Sequence, residues 1–142
     1  MELNSPDMKN AKLILSILTL LLFSCDPEEC GTLLFVNGTN LDLTVTLYAQ
    51  GTPQKTLNIP ATEQRELAPT ACSKGGPKLP DIGAYDSILV LEENGSLLVN
   101  YKPESTGKNP FNWKEDWQRV EDGKRSIKYV FEISQEAIPT DK

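Results

Sequence analysis

The sequence predicts an all-β fold: a single antiparallel β-sandwich of about seven or eight short strands, preceded by a signal peptide. Three observations support this fold class. Apolar and polar residues alternate with a period of two over residues 41–49 and 126–134. Turn-forming pairs such as Asn94 and Gly95 separate short apolar runs, and no segment shows a convincing helical period.

The first two strands follow from residues 32–36 (TLLFV) and 41–49 (LDLTVTLYA). The second segment alternates strictly, as expected for a half-buried strand with one apolar face. Its apolar positions are Leu41, Leu43, Val45, Leu47 and Ala49. Because Asn37 and Gly38 are turn-forming residues, we expect the two strands to pair as a hairpin.

Residues 55–59 and 63–67 are predicted to form two further short strands. Residues 69–85 are rich in proline and glycine, and this loop is longer than most connections inside compact domains.

The C-terminal half contains the clearest hairpin, formed by residues 87–91 and 96–101 across Asn94 and Gly95 in a type I′ turn. Residues 113–120 fit either a helix or a strand, and we favour a strand because residues 121–124 then form a turn. The last strand covers residues 126–134. Its predicted core face is formed by Ile127, Tyr129, Phe131 and Ile133.

The N-terminal segment has the organisation of a lipoprotein export signal. Lys9 and Lys12 precede an apolar run at residues 13–23, and the small Ser24 comes directly before Cys25. The alternatives are an ordinary signal peptide or an uncleaved helix. We expect translation to start at Met8, residues 1–24 to be the signal, residues 25–31 an acidic lipidated tether, residues 32–136 the β-sandwich and residues 137–142 a flexible tail.

The predicted role of Cys25 affects the interpretation of the other two cysteines, Cys30 and Cys72. Lipidation at Cys25 leaves Cys30 and Cys72 as a pair in an oxidising compartment. Small exported domains often carry such disulfides, so we predict a bond between these two residues, with two free thiols as the alternative.

The composition excludes several functions. Lysine and arginine number 14 against 20 aspartate and glutamate residues, a net charge of −6, which disfavours nucleic acid and electrostatic docking on anionic lipid. We therefore expect the acyl chains on Cys25 to be the attachment to the membrane. The chain has no histidine, which removes the commonest general base and zinc ligand. No cofactor and no metal site are predicted.

Carboxylate pairs are the remaining catalytic candidates, since two carboxylates can support glycoside hydrolysis. The candidates are Glu92 with Glu93 and Glu115 with Asp116. Adjacent acids in a strand point to opposite faces, so neither pair is arranged for catalysis by itself, and we do not expect an enzyme.

Four aromatic residues are better candidates for a functional site: Tyr101, Phe111, Trp113 and Trp117. Exposed aromatic rings stack on sugars or anchor a protein partner. The alternative is that these rings cover the core of the domain.

Residues 85–138 resemble small hypothetical lipoproteins common in the Bacteroidota. The resemblance rests on Asp86, Ser87 and Ile88, on the loop 107–112 that leads into Trp113 and Trp117, and on residues 129–138. It implies a location and a fold class but no activity. Asp26, Glu28 and Glu29 resemble the acidic run of surface-exposed lipoproteins in that lineage, which implies the cell envelope, the outer membrane and exposure at the cell surface. The alternative is that this run is only a solvated linker.

The triplet that begins at Asp86 also resembles the O-glycosylation signal of exported proteins in that lineage, which makes Ser87 a candidate glycosylation site. The alternative is a simple strand entry. Our leading hypothesis is therefore a lipid-anchored binding or interaction module without catalysis, with a glycan or an envelope protein as partner. The alternatives are an accessory subunit of an envelope complex and a small carboxylate-dependent hydrolase.

Overall fold

The computed structural model describes residues 27–68, 70–77, 79, 81–112 and 115–137. These residues form nine strands in two sheets and two short 3-10 helices, which confirms the all-β prediction. The strands are β1 (Glu28–Gly38), β2 (Leu43–Ala49), β3 (Thr52–Ile59), β4 (Gln64–Glu66), β5 (Ala71–Lys74), β6 (Ser87–Glu92), β7 (Leu97–Tyr101), β8 (Gln118–Glu121) and β9 (Ser126–Ser134); the 3-10 helices cover Ile82–Ala84 and Gln135–Ala137.

The first sheet has the order β4-β1-β9-β8, and β5 pairs with the beginning of β1. Strand β1 runs parallel to β9 from the pair Cys30 and Ser126 to the pair Gly38 and Ser134. The sheet is therefore mixed, and our prediction of a wholly antiparallel fold is wrong. A parallel pair needs a long crossover connection, and here that connection includes the whole second sheet.

The second sheet has the order β3-β2-β6-β7 and is antiparallel throughout. Leu43, Val45 and Leu47 of β2 are buried as the alternation predicts. The predicted hairpin between β1 and β2 is wrong, because the two strands lie in different sheets. Strand β1 is already paired with β9 on one side and with β4 and β5 on the other, so no edge remains for β2.

Buried Asn37 stabilises the crossing between the sheets. Its Nδ2 lies within hydrogen-bond distance of the carbonyl oxygens of Leu41, Ile59 and Pro60, at 2.7, 3.0 and 3.1 Å. Its Oδ1 accepts from the backbone N–H and the hydroxyl of Thr39. The residues predicted to form a hairpin turn therefore bind the start of β2 to the end of β3.

The hairpin between β6 and β7 is confirmed, but its turn type differs from the prediction. Gly95 N donates to Glu92 O, Glu92 N donates to Ser96 O, and Gly95 alone in this connection has positive φ. This pattern matches a three-residue connection with a glycine bulge, not a type I′ turn. Positive φ at both central positions is found instead between β2 and β3, at Gln50 and Gly51.

The hydrophobic core draws on both sheets. Phe35, Phe131 and Ile133 come from the first sheet, and Val45 and Ile88 are among those from the second. The ring centroid of Phe131 lies 5.9 Å from that of Phe35 and 5.8 Å from that of Tyr101. Both contacts are edge-to-face, a favourable geometry for aromatic pairs.

Two segment boundaries differ from the predictions. Strand β1 begins at Glu28, inside the predicted tether 25–31, so folded structure starts closer to Cys25 than expected. Strand β8 begins at Gln118, and Asn112 and residues 115–117 form a turn, so the predicted strand over 113–120 is too long. The β8–β9 hairpin is present, closed by Asp122 N donating to Ser126 O.

Some predictions lie outside the described residues. They are the signal segment, the start at Met8, Cys25, Trp113 and residues 138–142. In the part of the chain that the structure describes, no helix is long and apolar enough to span a bilayer.

Candidate functional site

A pocket of about 360 Å³ opens between two long loops above the first sheet. Leu33 of β1 and Trp117 form its base, Leu79 and residues 81–83 form one wall, and Phe111 forms part of the other. The lining residues are Leu33, Leu79, Asp81, Ile82, Gly83, Phe111 and Trp117. The described lining is mainly apolar with the polar side chain of Asp81, and small-molecule sites are usually apolar pockets with a small number of polar groups.

The first wall belongs to the loop predicted over residues 69–85, and strand β1 fixes its position. Cys30 and Cys72 are directly opposite in β1 and β5, with their sulfur atoms at the disulfide distance of 2.03 Å, which supports the predicted bond. Pro77 and Leu79 pack on Gly31 so closely that a β-carbon there would lie 2.6 Å from each. Only glycine therefore lets this wall lie against β1.

Asp81 begins the short 3-10 helix of this wall. Its Oδ1 accepts a hydrogen bond of 3.0 Å from Gly83 N, the usual role of an aspartate at a helix N-terminus. Its side chain is exposed, and it carries the only charge among the lining residues that the structure describes. The pocket mouth is therefore acidic.

The second wall belongs to residues 102–112 and 115–117 and is organised by Asn109, which is fully buried. Asn109 Nδ2 donates to the carbonyl oxygens of Lys102 and Ser105 at 2.7 and 3.1 Å. Its Oδ1 accepts from Phe111 N at 3.2 Å. One amide therefore joins the start of the loop to the residue that lines the pocket.

Trp117 is both a core residue and the base of the pocket. Its side chain is 6% exposed, and its ring centroid lies 5.5 Å from those of Phe35 and Phe131. The indole Nε1 donates to Pro110 O at 2.7 Å. Because this donor is engaged, the ring contributes apolar surface to the pocket and no hydrogen bond.

The four predicted ligand-binding aromatics do not form one exposed group. Phe111 and Trp117 meet at the pocket. Tyr101 lies in the core, 4% exposed, and Trp113 is not described. Burial raises the pKa of Tyr101 to about 12, and among the described residues its hydroxyl has no hydrogen-bond partner.

The other predicted residues lie away from the pocket lining. Ser87 is half-buried at the start of β6, and its hydroxyl lies 3.1 Å from Asp86 Oδ1. Of the four candidate carboxylates none lines the pocket, and Asp116 accepts a hydrogen bond from Asn109 N. Over the described ranges, no cluster of histidine, cysteine or acidic residues is arranged to hold a metal ion.

Sequence reasoning missed Leu33, Leu79, Asp81 and Ile82 as site residues. The signal available was the unusual length of the loop 69–85, since long ordered loops often carry function. A second depression of about 740 Å³ lies beside Tyr101 and residues 104–108. Its lining is mostly exposed and polar, so the smaller apolar pocket is the better candidate.

The described site is thus an apolar pocket with an acidic mouth between two loops fixed by a disulfide and a buried amide. Comparisons of this chain with protein-family models, with curated proteins and with solved structures found no match.

Proposed function

We propose that this chain is a lipid-anchored lipoprotein of the cell envelope that acts without catalysis as a ligand-binding module. The pocket above the first sheet is the observation that carries the proposal. Its walls are held by a disulfide, by Gly31 and by Asn109, so the site is formed before a ligand arrives. Binding to a preformed site avoids the entropy cost of ordering loops.

We infer further that the two sheets form a β-sandwich. The support is the shared core, in which Phe35 and Phe131 of the first sheet cluster with Val45 and Ile88 of the second. A face-to-face arrangement buries the apolar side of each sheet, and it leaves the loops at the rims free to form a binding site.

The anchor is Cys25, which carries the acyl chains that attach the domain to the outer membrane. Only Asp26 and Pro27 separate Cys25 from β1. The three residue steps from Cys25 to Glu28 reach at most about 10 Å when extended, so the domain would be held close to the lipid surface. The resemblance to small lipoproteins of the Bacteroidota supports exposure at the cell surface.

The absence of catalysis rests on the chemistry of the pocket. The chain has no histidine, and Asp81 is the single ionisable side chain among the described residues of the lining. General acid–base chemistry at a glycosidic bond needs two carboxylates facing each other. The pocket supplies one, so binding is the better-supported activity.

An accessory role in an envelope complex is the second candidate, favoured by two exposed apolar side chains. Leu97 is 57% exposed and Val120 is 45% exposed. They belong to β7 and β8, which are edge strands of the two sheets, and exposed edge strands pair readily with another chain. Crosslinking in intact cells tests this role: a defined envelope partner lost in Leu97→Lys supports it, and a purely monomeric pool contradicts it.

Ligand-observed NMR with a library of small fragments tests the binding function. We expect a set of fragments to bind the protein and to lose binding in Leu79→Trp, which fills the pocket. Leu97→Trp places the same side chain on an exposed edge and is the matched control. Failure of every fragment to bind, or equal binding to both variants, would refute the pocket as the site.

Metabolic labelling with an alkyne fatty acid tests the anchor. We expect label on the unmodified protein and none on Cys25→Ala, which should also leave the membrane fraction. Ser96→Ala, an exposed turn substitution, should keep both label and membrane association. Retained label on Cys25→Ala would refute lipidation at this residue.

A further inference from the structure

We propose that the pocket selects small organic cations, with an apolar ring or short chain inside the pocket and an ammonium group at Asp81. This inference rests on the proposed binding function and adds the chemical class of the ligand. It follows from the size of the pocket, from the hydrogen-bonding groups already in use and from the acidic side chain of Asp81, the one charge among the described lining residues.

The size of the pocket limits the ligand. Small-molecule sites have volumes of about 300–1,000 Å³, and this pocket, at about 360 Å³, is near the lower end. Leu33, Leu79 and Ile82 surround the space together with Phe111 and Trp117. One ring or a short aliphatic chain fits this volume, whereas an oligosaccharide would extend outside it.

Three donors of the lining residues are engaged inside the protein. Gly83 N binds Asp81, Phe111 N binds Asn109 Oδ1, and Trp117 Nε1 binds Pro110 O. A sugar, carboxylate or phosphate would find none of these three donors free, and polar atoms that stay unpaired in an apolar space weaken binding. This pattern disfavours the glycan that we expected from the aromatic residues alone.

Asp81 supplies the acceptor. Its Oδ1 is held by Gly83 N, and among the described residues its Oδ2 has no hydrogen-bond partner. Among the described residues that line the pocket there is no lysine or arginine beside this carboxylate. An ammonium group offers the donor and the charge that are missing.

Three probes with the same ring and chain length test the charge preference: 2-phenylethylammonium, 2-phenylethanol and 3-phenylpropanoate. The processed, lipidated protein would carry 5-fluorotryptophan and be placed in phosphatidylcholine nanodiscs. A spectrum of Trp113→Phe assigns the two fluorine resonances. The displacement of the Trp117 resonance then reports occupancy of the pocket, and empty nanodiscs correct for partitioning of the probes into lipid.

We expect the ammonium probe to bind about threefold more tightly than the alcohol and about tenfold more tightly than the carboxylate. These factors suit an exposed carboxylate, whose attraction for a cation is modest. Asp81→Asn should abolish the preference while keeping an acceptor for Gly83 N. Glu93→Gln removes an exposed charge from the β6–β7 turn and should preserve the preference for the ammonium probe. Salt at 500 mM should reduce the preference for the ammonium probe, because it screens the charge of Asp81.

The outcomes separate the two proposals. Equal binding of the three probes, or a preference that survives in Asp81→Asn, would overturn the ligand class and leave the pocket as a binding site. If the probes and the fragment library all leave the Trp117 resonance unchanged, both the ligand class and the proposed binding function fail.

Discussion

Asn109 is the side chain whose loss should damage both the stability of the fold and the pocket. Asn109→Ala removes three hydrogen bonds, to Lys102 O, to Ser105 O and from Phe111 N. Each such bond contributes about 1 kcal/mol net. The free energy of unfolding should therefore fall by about 3 kcal/mol, a large part of the 5–15 kcal/mol that stabilises most domains.

Urea unfolding measures this loss, followed by circular dichroism for the sheets and by tryptophan fluorescence for the loop. With an m-value of about 1.5 kcal/mol per molar urea, the midpoint should fall by about 2 M. Asn112→Ala is the matched control. Asn112 is exposed in the same loop, and its contacts to residues 115 and 116 use its backbone oxygen. Removal of the Asn112 side chain should lower the free energy of unfolding by under about 0.5 kcal/mol.

The same variant tests the link between the buried amide and the pocket. Because Asn109 holds the backbone of Phe111, Asn109→Ala should weaken binding of 2-phenylethylammonium, whereas Asn112→Ala should not. Equal unfolding midpoints for the two variants would refute the energetic argument. A destabilised Asn109→Ala protein that binds the probe normally would refute the coupling to the pocket.

Three further predictions use the same unfolding assay. Cys30 and Cys72 are 42 residues apart, and reduction of the bond between them should lower the free energy of unfolding by about 4 kcal/mol by the chain-entropy estimate. Cys72→Ser should lower it by a similar amount, and an unchanged free energy of unfolding in both cases would contradict this stabilising role. Burial raises the pKa of Tyr101 from 10.0 to about 12, so the unfolded chain ionises first and stability should fall between pH 10 and pH 12. In Tyr101→Phe, the loss of stability between about pH 10 and pH 12 that comes from this residue should disappear. Near pH 7 the substitution should lower the free energy of unfolding by under about 1 kcal/mol, since the hydroxyl has no hydrogen-bond partner in the described ranges. An unchanged dependence of stability on pH would contradict the assignment to Tyr101. Gln50→Asn should raise stability by about 0.5 kcal/mol, because Gln50 has φ of 52° and asparagine tolerates this conformation better; a lower midpoint would contradict it.

Several features of this protein are determined by local sequence. The alternation over residues 43–49 and 126–134 defines strands and their buried faces, because side chains in a strand point alternately to its two faces. Gly95 marks the β6–β7 hairpin, since a turn needs a residue that accepts positive φ. Counting the cysteines is enough to propose Cys30 and Cys72 as a pair, and the structure places them together.

Other features depend on contacts between distant parts of the chain. Cys30 and Ser126 pair in parallel across 96 residues, and no local pattern distinguishes that pairing from the expected hairpin of β1 with β2. The pocket brings Asp81 beside Phe111 and Trp117, which belong to loops separated by two strands. Local periodicity determines which face of a strand is apolar. The partner of that strand, and the loops that meet above it, are decided by which long-range contacts together bury the most apolar surface and satisfy the buried amides of Asn37 and Asn109.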